Sequence, residues 1–192
     1  MRKYIGFVFP AFAGAGALLW LFWHSGAFLP GWIKWESRTV SEASGEYEMT
    51  LNRKKVEVFR RETSIWTSPE DIKVQDVLSC DIDNDGMDEL LLLCWKKGRY
   101  GEHKPFWVEE DEKNWSQHLF VYEYMEEEIR PKWMSSYIGQ DVMEMAAREG
   151  APPGIHLLLT SPEGEVSSWF WDSWGFTKEK TDTTFVVFGD NL

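Results

Sequence analysis

Cysteine is nearly absent from the 192 residues: Cys80 and Cys94 are the only two. Histidine is scarce as well, and His24, His103, His118 and His156 lack the spacing of a zinc site. The chain has no Gly-x-Ser-x-Gly, no glycine-rich phosphate loop and no nucleophile-cysteine context, which removes the common hydrolase and nucleotide-binding signatures. Positive charge is also in short supply. Lys and Arg total 20 against 32 Asp and Glu, a net charge of −12. Arg2 and Lys3 are the only charges before residue 28, so the remainder carries −14. Phosphate binding needs clustered cations, so nucleic acid is excluded as a partner of this remainder, as is an anionic lipid surface.

What the chain does have begins with an uncharged run from Tyr4 to Trp23 behind Arg2 and Lys3. A helix of about 20 residues spans a hydrocarbon core of roughly 30 Å. Basic residues on its N-terminal side keep that end in the cytoplasm. Residues 1–35 therefore read as a membrane anchor. The alternative is a signal peptide, since Ser25-Gly26-Ala27 offers small residues to signal peptidase. No cysteine follows the run, which excludes a lipid-modified lipoprotein start. Trp20, Trp23, Trp32 and Trp35 suit the outer membrane interface. Either outcome places the rest outside the cytoplasm, as a single-pass membrane protein or a secreted one.

Residues 36–46 are polar and aperiodic and read as a linker. From 47 to 192 the chain alternates short β-branched and aromatic runs with Gly, Pro, Asn and acidic clusters. The runs are Tyr47–Leu51, Val56–Phe59, Val74–Cys80, Glu89–Trp95, Leu119–Tyr124, Gly154–Thr160, Val166–Trp171 and Thr184–Phe188. This punctuation predicts an all-β domain. Gln140–Glu149 has the composition of a helix, but an internal echo argues for strand and turn. Val56–Phe59, Ile65-Trp66, Gln75-Asp76-Val77 and Leu90–Leu93 recur as Phe120–Tyr122, Lys132-Trp133, Gln140-Asp141-Val142 and Leu157–Leu159, and a further partial copy begins at Val166. The expected architecture is a propeller-like stack of antiparallel β-meanders, about three blades and so an incomplete propeller. Its exposed sheet edges predict self-association or a covering partner. Cys80 and Cys94 fall on two strands of one hairpin with its tip near residue 85, out of register for a disulfide, and are expected as buried thiols.

The sharpest signal is Asp81-Ile82-Asp83-Asn84-Asp85-Gly86-Met87-Asp88-Glu89-Leu90. Carboxylates at alternate positions converge on one hard cation, Gly86 permits the tight turn, Met87 offers a carbonyl and Glu89 closes the shell. An EF-hand would need an acid at position 12, where Leu92 stands, so the loop opens into a strand. Oxygen ligands exclude zinc and copper. Five acids between Asp81 and Glu89 also repel one another unless a cation is present.

This stretch, with the strands that flank it, resembles the FG-GAP/VCBS-type repeats of integrin α-subunits and many bacterial exported proteins. The resemblance is close over residues 74–95 and looser over 47–190. It implies a propeller blade with structural calcium at Asp81, Asp83, Asp85, the Met87 carbonyl and Glu89. The second copy has Ala146–Gly154 in place of the acidic loop and is not expected to hold an ion.

Glu109–Glu112 and Glu126–Glu128 are runs of like charge and read as solvated faces, not catalytic pairs. Asn114-Trp115-Ser116 fits a glycosylation sequon. Trp169 and Trp171 share one face of a strand, either filling a gap between sheets or forming a stacking platform. Trp107 lies in the insert from Lys97 to Ser116, a second candidate surface. The expected function is a non-catalytic binding domain for a protein or cell-surface polymer. A carbohydrate-binding module and an accessory subunit of an envelope complex are the alternatives.

Overall fold

A computed structural model describes residues 18, 20, 22, 23, 25–98, 106–125, 128–150 and 154–179. The chain divides into two units, Met1–Ile33 and Lys34–Leu192. In the first, residues 18, 20, 22, 23 and 25 are helical, and Leu18, Trp20, Phe22 and Trp23 are exposed. No helix among the described residues is long and apolar enough to cross a membrane. Most of the Tyr4–Trp23 run lies outside the described residues, as does Thr184–Phe188.

The second unit is all-β, with three four-stranded antiparallel sheets, each a simple meander. The first sheet holds β1 (Ser37–Ser41), β2 (Tyr47–Asn52), β3 (Lys55–Arg60) and β4 (Thr63–Thr67). The second holds β5 (Lys73–Cys80), β6 (Glu89–Lys97), β7 (Trp115–Tyr124) and β8 (Ile129–Met134). The third holds β9 (Glu144–Glu149), β10 (Ile155–Thr160), β11 (Val166–Asp172) and β12 (Gly175–Lys178). The sheets form no closed propeller among the described residues. The linker expected at 36–46 is in part β1, which pairs with β2 from Ser37↔Asn52 to Ser41↔Glu48. The helix candidate at Gln140–Glu149 ends in β9, as its internal echo argued.

The alternation of side chains explains the layering. In β2, Tyr47, Met49 and Leu51 are buried while Glu48 and Asn52 face water, the signature of a sheet with one covered face. In β6, Glu89–Trp95 are buried without a break, because the middle sheet is covered on both faces. Leu90, Leu92 and Cys94 join Met49, Leu51, Val56, Val58 and Phe120 in one core. Leu91 and Leu93 join Cys80, Ile82, Val121, Leu157 and Leu159 in a second. Burying a leucine is worth about 2 kcal/mol, so Leu90–Leu93 together supply about 8 kcal/mol, comparable with a domain's whole net stability. Cys80 pairs in register with Glu89 and Cys94 with Val74, and both thiols are free and buried.

Three register shifts mark bulges, each leaving one residue of the pair's outer strand without a partner. They leave Ile65 extra opposite Val58/Phe59, Gln75 extra in β5, and Lys132 extra opposite Val121/Tyr122. A bulge re-aims side chains, and at Gln75 and Lys132 the re-aimed group is polar.

Candidate functional site

The acidic loop is the β5–β6 hairpin tip. Asn84 (φ 61°) and Gly86 (φ 92°) take the left-handed conformation that the turn requires. Asp81 accepts Asp85 N and Gly86 N, both at 3.0 Å; Asp83 Oδ1 accepts Asp85 N at 3.3 Å, and Asp85 Oδ1 accepts Met87 N at 2.9 Å. Glu89 is 2% exposed and its Oε2 accepts Ile82 N at 3.0 Å. Asp88 points elsewhere, taking Ala43 N at 2.8 Å and so tying the tip to the first sheet. Gly154 (φ 120°) has the Asn84 carboxamide where a side chain would stand, which packs the tip against the β9–β10 connection.

Of the residues expected to hold calcium, Asp81, Asp83 and Glu89 bring carboxylate oxygens within 4.8 Å of one another. Asp85 is outside that group, and the Met87 side chain is exposed. The cluster contains a cation of its own. Lys132 Nζ lies 2.5 Å from Asp83 Oδ2, 2.7 Å from Glu89 Oε1, 3.5 Å from Glu123 and 3.9 Å from Asp85. Burial pushes the Glu89 carboxyl up to about 7 against the opposing hydrogen bond and charge of Lys132. Burial also works against the Lys132 charge, but bonds to Asp83 and Glu89 outweigh it and hold its pKa above the ordinary lysine value. The donor set is hard oxygen, yet two of its oxygens are committed to the ammonium, so calcium does not fit unless Lys132 moves. Sequence reasoning missed Lys132 as part of the site because it stands far from the loop in the chain; it entered only as half of the Lys132-Trp133 echo.

The aromatic candidates separate. Trp169 and Trp171 share a face, as expected, and that face packs half-buried against the second core. Trp171 meets Trp133 and Phe176 edge-on at centroid distances of 6.1 and 5.3 Å, bridging the second and third sheets. Trp169 Nε1 donates to Ser167 Oγ at 2.9 Å. Beside them lies an open groove lined by Trp133, Met134, Tyr137, Trp169, Trp174 and Phe176 among others. Trp174, at the β11–β12 turn, is 81% exposed. Trp107, 70% exposed on the β6–β7 connection, is not part of this groove.

No family model matches the chain, and neither a curated protein nor a solved structure matches it.

Proposed function

We infer that the chain is a non-catalytic, extracytoplasmic interaction domain, tethered by its N-terminal segment, that binds a protein partner through the groove beside Trp174. The observation that carries this reading is the groove's chemistry. It presents Trp174, Tyr137 and Met134 to solvent, residue types enriched at protein interfaces. Its side-chain polar groups are Ser135, Ser136, the Tyr137 hydroxyl and the indole N–H groups of its tryptophans, with no carboxylate or carboxamide of the kind that grips a sugar's paired hydroxyls.

The finer architecture belongs to the same reading. The first strand of the middle sheet, β5, adjoins both β1 and β9, the first strands of the other two, which supports three propeller-like blades arranged about their first strands. Exposed Leu18, Trp20 and Phe22 support a membrane setting for the first unit. Calcium, implied by the FG-GAP/VCBS resemblance, would draw on Asp81, Asp83 and Glu89 once Lys132 left, and the interaction reading does not depend on it.

Peptide and glycan arrays probed with the full chain and with Trp174→Ala test the reading. Peptide binding that weakens tenfold or more in the variant is expected, with the glycan array blank. Glycan binding lost in the variant would instead establish the carbohydrate-binding alternative.

A further inference from the structure

We propose that Lys132 is the resident cation of the acidic hairpin tip, an ammonium tethered to a neighbouring strand in the place where calcium would sit. Three independent features converge on it. First, an ammonium already stands where a cation would be held: Lys132 Nζ pairs with Asp83 Oδ2 and Glu89 Oε1, while backbone N–H groups fix the carboxylates and leave lone pairs on their oxygens. Both Asp81 oxygens accept backbone N–H groups, Asp83 and Glu89 each divide their oxygens between a backbone N–H and Lys132, and Asp85 Oδ1 accepts Met87 N. Calcium asks for six to eight oxygens at 2.3–2.6 Å. The Nζ donors are instead met by Asp83, Glu89 and Glu123.

Second, the register needs this charge. Glu89 on β6 stands directly opposite Glu123 on β7. Like charges facing each other across a ladder destabilise it, and Glu89 is buried. Lys132 contacts both.

Third, the backbone is shaped to deliver it. Val121 pairs with Trp133 and Tyr122 with Pro131, which leaves Lys132 as the extra residue of a bulge. That extra residue turns its side chain to the face carrying Glu89 and Glu123, where it is 14% exposed. A regular β8 would give successive residues opposite faces, and a lysine beside inward-facing Trp133 would point away from the acids.

A divalent ion held by Asp83 and Glu89 therefore competes with Lys132 for the same two oxygens. The test is a set of thermal melts of the full chain, Lys132→Met and Lys132→Arg, each in excess chelator and in millimolar calcium. The full chain and Lys132→Arg are expected to melt at the same temperature in both conditions. Lys132→Met should melt about 5 °C or more lower in chelator, because the carboxylates lose their counter-charge, and calcium should restore much of the loss. A calcium-dependent rise in the unsubstituted chain matched by an equal rise in Lys132→Met would overturn the proposal, since the ion would then bind beside the lysine. A Lys132→Met chain as stable in chelator as the parent would overturn it too. If Lys132→Met does not fold in either condition, the unsubstituted chain decides alone: calcium dependence contradicts the proposal, and indifference to chelator upholds it.

Discussion

At the scale of single residues, buried polar groups keep their places through specific partners. His118 is buried on β7. Its Nδ1 donates to the Ser135 carbonyl at 2.9 Å, leaving Nε2 to accept Ser116 Oγ at 2.9 Å. Burial lowers its pKa, outweighing the hydrogen bonds that favour the charged ring. The unfolded chain therefore takes up the proton first. The stability this residue carries is complete above the ordinary histidine value of about 6.5 and drains as pH falls below it, by at most about 1.4 kcal/mol per pH unit. Urea midpoints at pH 7.5 and 5.5 should draw together in His118→Gln relative to the parent; an unchanged difference would show that His118 is not the group responsible. The acidic tip shows what a sequence reveals at this scale. Asp81, Asp83 and Glu89 were legible as a converging set from their spacing alone. Lys132 was not, because a contact across 43 residues leaves no local pattern.

Among the elements, the link between the second and third sheets runs through two glutamines. Gln75 donates to the Val142 and Met143 carbonyls at 2.9 Å and accepts Trp95 Nε1 at 2.7 Å. Gln117 donates to Gln75 Oε1 and the Val142 carbonyl and accepts Val142 N at 2.8 Å. The segment leading into β9 is thus clipped to β5 and β7 inside the protein, where a lost partner is costly. Gln117→Leu leaves Val142 N unpaired and should lower stability by about 3 kcal/mol, read as a lower urea midpoint at unchanged slope; a loss below about 0.5 kcal/mol would mean that water replaces the clip. The Gln-Asp-Val pair noticed in the sequence marks both ends of this link, though Gln75 lies within β5 and Gln140 in the turn before β9. The runs in β2, β3, β5, β6, β7, β10 and β11 were readable because their apolar residues alternate or cluster. β1 (SRTVS) was not, since it has no apolar alternation and gains its strand character from β2, and β9 (EMAARE) was readable only through the internal echo, its composition being that of a helix.

The whole second unit is two cores sharing one sheet, and β6 contributes side chains to both. Loss of either core exposes half of β6, so the layers should unfold together. The two cysteines report on this separately. Cys94 lies in the first core and Cys80 in the second, and burial raises both thiols, Cys80 to about 12, so neither reacts in the folded state. Thiol labelling along a urea gradient should reach both at the same midpoint; earlier labelling of Cys80 would show the third sheet detaching first. The outer face of the first sheet carries Glu48, Thr50, Asn52, Lys55 and Glu57 around a half-buried Phe59, a mostly polar and charged surface. The groove beside Trp174 differs from it in kind, which makes the contrast the most direct test of the functional account. A photo-crosslinking amino acid placed at position 174 of the full chain in cells should yield a covalent adduct with another protein, and the same group at position 50 should yield none. Equal adducts at both positions, or none at 174, would contradict the account.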